Sequence, residues 1–176
     1  MSTAARRIVI KGGSGSGKST LAVELARRLN LPHVELDALH WDANWRPVSG
    51  TEFEARVAAA LDDTRGWVVD GNYDSQLGGL VLERAQLIVW LDLPLGAKLW
   101  RLVGRTSRRI LQKEELWNGN RESLQGALWG RESLFWWTVT SHFRHGREWP
   151  MRFARTPFVR LRTPEEVRAW LATVTG

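Results

Sequence analysis

The chain has 176 residues and no cysteine. Its length corresponds to about one domain with an apolar core of its own, and the absence of cysteine excludes disulfides, zinc–thiolate sites and thiol nucleophiles. No apolar run approaches the roughly 20 residues of a membrane span, and the short stretch Met1–Arg7 leaves no room for a signal peptide, so we expect a cytoplasmic protein. The net charge of +6 predicts an anionic partner, either a phosphorylated ligand or a nucleic acid.

Short apolar runs alternate with helical patterns along the chain. This alternation predicts an α/β fold with a parallel sheet covered by helices on both faces. The predicted strands are Arg7–Ile10, His33–Leu36, Trp67–Val69, Leu87–Leu91 and Phe158–Leu161. Five helices are predicted. The first contains Leu21, Leu25 and Leu29, the second begins at a capping box at Thr51–Glu54, and the third begins at Pro94. The fourth spans Arg131–Arg144, and the fifth begins at a cap formed by Thr163.

A glycine-rich segment follows the first predicted strand and opens the first helical pattern. Residues Gly12–Thr20 read Gly-Gly-Ser-Gly-Ser-Gly-Lys-Ser-Thr, a phosphate-binding loop in the strand–loop–helix context that the motif requires. A flexible Gly/Ser linker would not explain these flanks. Glycines let successive backbone N–H groups point at phosphate oxygens, and the helix N-terminus adds positive charge. The predicted nucleotide-binding residues are Gly12, Gly13, Ser14, Gly15, Ser16, Gly17, Lys18, Ser19 and Thr20, with Lys18 on the β- and γ-phosphates and Ser19 on Mg²⁺.

Three carboxylates follow predicted strands, at the edge where ligands bind in open α/β sheets. Asp70 follows the third strand and is predicted to hold Mg²⁺ through water, opposite the phosphate loop. Asp92 follows the fourth strand, but Leu93-Pro94 turns the chain away, so we interpret Asp92 as a cap or turn residue. Asp37 follows the second strand, where a phosphoryl acceptor is expected.

The segment around Asp37 is predicted to form the acceptor site. A carboxylate there can hydrogen-bond an acceptor hydroxyl and take its proton during phosphoryl transfer. The alternative is a solvent-exposed turn aspartate. His40 and Trp41 follow closely and could line the acceptor pocket, the first as a donor and the second as a stacking surface, although a single histidine is more often structural.

A stripe of arginines follows the fourth strand. Arg101, Arg105 and Arg109 recur every four residues on the predicted helix, with Arg108 beside them. Because almost no acidic residue precedes Glu114 to pair with this stripe, we favour an anion-binding role over a solvated helix face. Such arginines can clamp the transferring phosphoryl group.

Tryptophan is unusually frequent, with 11 copies. Basic charge combined with exposed aromatic residues is typical of single-stranded nucleic-acid binding. Most of the tryptophans nevertheless fall on core-facing positions, and we expect Trp136 and Trp137 to pack in the core or against a lid. Trp41, Trp45 and Trp117 are the plausible exceptions, since they flank the proposed acceptor site and lid.

The phosphate loop, the order of elements and Arg101-Leu102-Val103-Gly104-Arg105 resemble the adenylate kinase-like P-loop kinases. More narrowly, the segments Leu36–Trp41, Val69–Tyr73 and Leu116–Glu122 resemble the bacterial topology-modulation, or adenylate kinase-like, proteins. The resemblance implies a three-layer P-loop NTPase fold with a five-stranded parallel sheet in the order 2-3-1-4-5, in a single domain. It also implies that two arginines of the Arg-x-x-Gly-Arg segment act near the adenine and on phosphate.

The chain departs from true adenylate kinases after the third strand. Their Asp-Gly-Phe-Pro-Arg motif places an arginine on the acceptor phosphate, whereas this chain has Asp70-Gly71-Asn72-Tyr73. Asn72 and Tyr73 suggest a neutral, hydrogen-bonding pocket for a hydroxylated small molecule. The lid region, about residues 105–148, is short and lacks cysteine ligands, so we expect a small lid that excludes water and brings Arg121 to the site.

These observations predict a Mg·ATP-dependent kinase of a small-molecule acceptor, whether a nucleotide, a nucleoside or another hydroxylated metabolite. The alternative is an ATP-binding or ATP-hydrolysing regulatory protein that contacts nucleic acid, although no nucleic-acid-binding motif is visible. The predicted catalytic residues are Lys18, Asp37, Arg105 and Arg121. Arg101 is predicted to bind the nucleotide together with the loop, and Ser19 and Asp70 to bind the metal. The predicted acceptor-binding residues are Asp37, His40, Trp41, Asn72 and Tyr73.

Overall fold

The computed structural model describes residues 5–112, 114–120 and 134–174. Its strands are β1 (Arg7–Gly12), β2 (His33–Glu35), β3 (Trp41–Asp42), β4 (Arg46–Pro47), β5 (Trp67–Asp70), β6 (Leu87–Leu91) and β7 (Phe158–Leu161). Its helices are α1 (Lys18–Leu29), α2 (Leu36–His40), α3 (Gly50–Ala60), α4 (Leu95–Leu111), α5 (Leu134–Arg152) and α6 (Pro164–Thr173), with 3₁₀ turns at Ala43–Trp45 and Trp117–Gly119.

Five parallel strands form the central sheet in the order β2-β5-β1-β6-β7. Numbered along the sheet-forming strands alone, this is the predicted order 2-3-1-4-5. The three central strands are apolar along nearly their whole length and buried, as expected for strands covered on both faces. The predicted α/β fold and strand order are therefore confirmed.

Two apolar clusters lie on opposite faces of the sheet. One is built around Phe53 of α3, Trp90 of β6 and Trp149 of α5. The other joins α1, through leucines such as Leu25, to Ile8 and Ile10 of β1 and to α6. Alternating residues of β1 thus contribute to different clusters, because successive side chains of a strand point to opposite faces. This packing fixes the carboxyl ends of the strands at one edge.

Most predicted element boundaries lie within a few residues of those observed, and the caps show where the differences arise. Thr163 accepts a hydrogen bond from the Glu166 N–H at the start of α6, as the predicted cap requires. At α3, however, the N-cap is Ser49, whose hydroxyl accepts from the Glu52 N–H. The capping box predicted at Thr51–Glu54 was therefore placed two residues too late.

Three local features differ from the predictions. β2 ends at Glu35, and the following residues form the short helix α2. The antiparallel β3–β4 hairpin was not predicted, because two-residue strands leave no periodic pattern. α5 extends to Arg152 through Pro150, beyond the predicted end at Arg144. Within the described residues, no helix is both long and apolar enough to cross a membrane.

The tryptophans divide between core and surface. Trp67, Trp90 and Trp149 are buried. Trp136 and Trp137 are 55% and 46% exposed, so the prediction that they pack in the core is wrong, while much of the lid against which they could pack lies outside the described residues. The helix period there was misleading because α5 is apolar on more than one face.

Candidate active site

The phosphate loop connects β1 to α1 and depends on glycine at two places. Gly15 and Gly17 have left-handed φ values of 74° and 90°. A Cβ on Gly15 would lie 2.3 Å from the backbone oxygen of Lys98 in α4, so a larger residue cannot be accommodated without displacing a helix. The Ser16 N–H donates to the Gly13 carbonyl at 3.2 Å and closes the turn. The loop therefore has the compact shape that phosphate binding needs.

Lys18 is the first residue of α1 and lies beside the loop that it is predicted to serve. Its Nζ is 3.5 Å from the Gly13 carbonyl oxygen. Burial lowers the pKa of the Lys18 ammonium, and the nearby Asp37 and Asp70 carboxylates oppose that shift. The same cation is thus close enough to both the predicted metal-side and the predicted acceptor-side carboxylates for their charges to act on it.

A cleft of about 630 Å³ opens beside the loop. Its walls are the phosphate loop and the start of α1, the arginine stripe of α4, and the first turns of α6. The predicted nucleotide residues Gly15–Thr20 and Arg101 therefore meet around one space, and Arg105 joins them there. Pro164 of α6 contributes an apolar wall. The cleft is large enough for a nucleotide, and its charge matches a triphosphate.

The metal-side residues meet where β2 and β5 end. Ser19 Oγ donates to Asp70 Oδ2 at 2.6 Å, and the other Asp70 oxygen is 2.7 Å from His33 Nε2. This contact with Asp70 raises the pKa of His33. Glu35 Oε1 lies 3.4 Å from Ser19 Oγ. Hydroxyl and carboxylate oxygens are the donors that Mg²⁺ prefers, so the residues present fit that ion.

Glu35 and His33 were missed in the sequence. They occupy the last and first positions of β2, and Glu35 pairs in register with Asp70 of β5. The available signal was this adjacency of parallel strand ends, which requires the strand order to be known. Burial raises the pKa of Glu35, while a hydrogen bond from the Trp117 indole N–H, at 2.8 Å, opposes the rise.

Asp92 is an ion-pair partner and not the predicted cap residue, since the N-cap of α4 is Pro94 and no side chain caps that helix. Its Oδ2 accepts two hydrogen bonds from Arg160 of β7, at 2.9 Å from Nε and 2.6 Å from Nη2. The Arg160 guanidinium also stacks on the Trp90 ring, 4.2 Å from its centroid. The pair ties the end of β6 to the edge strand.

Asp37 lies in α2 and not at the end of a strand as predicted, because the chain bends into a helical turn after Glu35. The Tyr73 hydroxyl donates to Asp37 Oδ1 at 2.5 Å. Burial and the nearby carboxylates raise the pKa of Tyr73, so the phenol stays neutral. The structure therefore brings together two residues predicted to bind the acceptor from elements 36 positions apart.

His40 is buried among aromatic rings. Its ring lies 4.7 to 4.8 Å, centroid to centroid, from the rings of Trp41, Phe53 and Tyr73. Burial lowers the pKa of His40, which favours the neutral imidazole. The geometry gives His40 a packing role at the edge of the predicted acceptor site, whereas half-buried Trp41 keeps part of its surface accessible.

Asn72 braces the phosphate loop. Its Nδ2 donates to the Gly12 carbonyl at 2.7 Å, which turns the side chain toward the donor side of the site. Of the remaining predicted residues, Arg121 lies outside the described part of the chain. The structure thus unites the predicted loop, metal-side and acceptor-side residues at one edge of the sheet.

Two buried lysines near the phosphate loop were not predicted. Lys11 of β1 donates to Asp74 at 2.6 Å and to the Gly71 carbonyl at 2.8 Å. Lys98 of α4 lies 2.6 Å, through its Nζ, from His142 Nδ1 of α5. No periodic pattern marks either lysine, since each depends on a partner distant in sequence.

No family model matches this chain. A shikimate kinase from Halorhodospira halophila is 30% identical over 146 residues, which span 73% of this chain and 78% of that protein. This chain belongs to the nucleoside monophosphate kinase-like P-loop kinases. A cytidylate kinase from Natronomonas pharaonis is 30% identical to this P-loop kinase over 115 residues, or 58% of this chain and 60% of that protein.

The fold agrees with this membership. A gluconokinase from Sinorhizobium meliloti superposes with a TM-score of 0.56 at 23% identity, covering 95% of this P-loop kinase and 90% of that chain. The similarity supports the fold alone. Together with the curated relatives, the assembled site confirms the prediction of a kinase that transfers a phosphoryl group from ATP to a small-molecule acceptor.

Proposed function

We propose that this kinase phosphorylates a hydroxyl group of an uncharged small molecule held beside Asp37. The observation that carries the proposal is the hydrogen bond from Tyr73 to Asp37, next to the Lys18 ammonium. The acceptor arginine of the adenylate kinase motif is also missing, since Asp74 stands at its position and pairs with Lys11. A neutral phenol and a carboxylate can both hydrogen-bond a hydroxyl group. On an acceptor phosphate, the carboxylate would repel the negative charge and the neutral phenol would not neutralise it.

The donor side of the proposed reaction uses the residues around the cleft. The backbone of Gly12–Thr20 holds the β- and γ-phosphates, with Lys18 on their oxygens. Arg101 contacts the nucleotide, and Arg105 offsets the charge of the transferring group from the same wall. Ser19 and Asp70 would hold Mg²⁺, which supplies charge neutralisation of the β- and γ-oxygens when bound.

Asp37 acts on the acceptor. The acceptor hydroxyl oxygen forms a bond to the γ-phosphorus as the bond from that phosphorus to the β–γ bridging oxygen breaks, and ADP keeps the bridging oxygen. Asp37 accepts the hydroxyl proton, through the oxygen atom that Tyr73 leaves available. The Tyr73 hydroxyl keeps the carboxylate oriented. The Tyr73 ring also packs against the ring of His40, 4.7 Å away between centroids.

The neutral character of the acceptor side extends beyond Tyr73. His40 is held in its uncharged form by burial, and Asn72 is committed to the phosphate loop. Arg56, on α3, is paired with Asp42 and Glu52. These contacts favour a hydroxylated acceptor without phosphate, such as a nucleoside or a polyol, over a nucleoside monophosphate.

Two finer assignments are part of the proposal. We place the chain near the bacterial topology-modulation proteins because of Trp117-Asn118-Gly119-Asn120 and the segments around Asp37 and Asp70. The lid of about residues 105–148, within a single domain, and the arrival of Arg121 with its closure stay predictions. That region includes the end of α4, the turn at Trp117–Gly119 and most of α5.

A coupled ADP-release assay tests the function. The acceptor panel includes shikimate, gluconate, cytidylate and deoxyadenosine, since kinases of these compounds are among the relatives and structural neighbours, together with other nucleosides and sugars. Lys18→Ala serves as the blank. We expect stimulation by an uncharged hydroxylated compound. Preferential stimulation by cytidylate, shikimate or gluconate, each of which is an anion, would contradict the proposal of an uncharged acceptor.

Substitution of Asp37 tests its role. Asp37→Asn should abolish acceptor phosphorylation and leave the affinity for Mg·ATP nearly unchanged, because the donor cleft is intact. Asp62→Asn, at an exposed aspartate after α3, is the matched control and should retain activity. Loss of nucleotide binding in Asp37→Asn, measured by titration with a fluorescent ATP analogue, would refute the acceptor-side assignment.

A further inference from the structure

The turn Trp117–Asn120 packs against the β3–β4 hairpin of the acceptor side. Asn120 is 3% exposed, and its side-chain amide makes three hydrogen bonds. Oδ1 accepts from the Trp45 N–H at 2.7 Å; Nδ2 donates to the Asp42 and Trp117 carbonyls, each at 2.9 Å. Asn118 adds a hydrogen bond from Nδ2 to the Trp41 carbonyl at 2.5 Å. Two asparagines therefore bind the backbone of three hairpin residues.

The backbone hydrogen bonds between β3 and β4 are too few to hold the shape of the hairpin. Each strand has two residues, and Pro47 of β4 has no N–H to donate. Its connecting residues Asn44 and Trp45 both have left-handed φ values, 62° and 54°. Such a φ is unfavourable for a bulky residue such as Trp45 and persists where surrounding contacts impose it. The hydrogen bond from the Trp45 N–H to Asn120 is such a contact.

The imposed conformation has a consequence for the site. It places the Trp45 ring almost perpendicular to two others, at 5.8 Å from Trp41 and 6.2 Å from Trp117, centroid to centroid. Trp117 in turn donates its indole N–H to Glu35 on the metal side. The ring of His40 lies 4.7 Å, centroid to centroid, from both Trp41 and Tyr73, the partner of Asp37. The three indole rings thus form one wall that reaches Glu35 through Trp117 and approaches Asp37 through His40 and Tyr73.

We infer that Asn120 is a positioning residue for acceptor binding: it holds Trp45 in its left-handed conformation, so that Trp41, Trp45 and Trp117 present one indole wall to the acceptor. An acceptor with a ring or another apolar face fits such a wall, with its hydroxyl at Asp37. The inference rests on the proposed acceptor site. It makes the hairpin a specificity element, whereas neither the hairpin nor the turn Trp117–Asn120 contributes a residue to the lining of the donor cleft.

The decisive variant is Asn120→Ala, assayed in the intact chain. Loss of the Asn120 amide leaves the Trp45 N–H and the Asp42 carbonyl without these partners, so the KM for the acceptor found in the screen should rise by about 10-fold or more. The KM for ATP should stay within about twofold and kcat within about threefold, because the donor residues are untouched. Gln86→Ala is the matched control: the Gln86 amide accepts from the N–H groups of Arg6 and Arg7 at the opposite end of β1.

A second variant covers the case in which Asn120→Ala does not fold. Asn118→Gly keeps the left-handed backbone at this position, φ 54°, and removes only the hydrogen bond to the Trp41 carbonyl. It should raise the acceptor KM by a smaller factor, about threefold, in the same direction. An unchanged acceptor KM in the folded variants, or a parallel rise in the KM for ATP, would overturn the inference.

Hydrogen exchange separates this inference from the proposed function. In nuclear magnetic resonance spectra without any acceptor, the Trp45 amide should exchange about 10-fold faster in Asn120→Ala than in the wild type. The Val48 amide, bonded to the His40 carbonyl at 3.0 Å, should remain protected. Unchanged exchange at Trp45 would refute the positioning role even if an acceptor is found. If the acceptor screen fails while Trp45 exchange accelerates, the proposed function fails and the hold of Asn120 on Trp45 stands.

Discussion

Acid should weaken the fold through His145, and the size of the effect follows from its surroundings. His145 is 8% exposed on α5 and stacks on Trp149 at 3.9 Å between ring centroids, with the planes 13° apart. Burial, followed by the positive charges of Arg144, Lys98, Lys18 and Lys11, lowers the pKa of His145 from 6.5 to about 3. The folded protein therefore keeps this imidazole neutral at pH values where the unfolded chain protonates it.

The sign of the pH dependence follows from this lowered pKa. A group with a depressed folded-state pKa contributes stability that is present above its unfolded pKa and is lost as the pH falls toward its folded pKa. For His145 the loss begins near pH 6.5 and continues toward pH 3. Between pH 7 and pH 5 the unfolded chain gains about 0.7 of a proton at this site, and the integrated effect on the free energy of unfolding is about 2 kcal/mol. This amount hardly depends on the folded pKa, provided that it lies well below 5.

His145→Phe provides the comparison because it keeps an aromatic ring on Trp149 and removes the titration. Urea unfolding followed by circular dichroism at pH 7, 6 and 5 should show that the wild type loses about 2 kcal/mol more than the variant over this range. The other three histidines are present in both proteins and cancel in the difference. Parallel loss of stability in the two proteins would refute the conclusion that His145 is held neutral.

Three further predictions concern the loop, a cap and a buried ion pair. Gly15→Ala should weaken ATP binding at least about 10-fold in a fluorescent-nucleotide titration, since its Cβ would collide with the backbone of α4; affinity within twofold of wild type would contradict this. Thr163→Ala should lower stability by about 1 kcal/mol and Tm by about 2–4 °C in calorimetry. Lys11→Met should lower the free energy of unfolding in urea by about 3–5 kcal/mol, because the Asp74 carboxylate stays buried without its lysine partner. Lys11→Met combined with Asp74→Leu should restore much of this stability. Failure of the double variant to recover stability would show that the buried carboxylate is not the cause.

Local signals sufficed for the sheet and the donor site. Two segments show this. Leu87–Leu91 is apolar because the strand is buried on both faces, and Gly12–Thr20 is rich in glycine because its backbone must wrap around phosphate. Each needs only consecutive residues, so the sequence displays it directly. The arginine stripe was also readable, because one helix period places Arg101 and Arg105 on the same face, toward the cleft.

The acceptor side was less predictable because its contacts join distant segments. Asp37 and Tyr73 were both selected, but their hydrogen bond depends on the packing of α2 against the loop after β5. Glu35 carried no signal apart from its position at a strand end. The partners of Asn120 lie about 75 positions away, in a hairpin too short to produce any pattern. Sequence alone does not specify which of the five asparagines meets which backbone group.

The donor loop and the helix α5 are joined through α4, and this connection limits how the site can change shape. The Lys98 carbonyl leaves no room beside Gly15, while the Lys98 ammonium is bonded to His142 of α5. A displacement of the loop toward α4 therefore requires α4 to move, and α4 carries Arg101 and Arg105 with it. Because close-packed elements move as units, phosphate binding and the position of these arginines are linked. The hairpin held by Asn120 lies outside that linkage, which is why donor and acceptor affinities should respond to different substitutions.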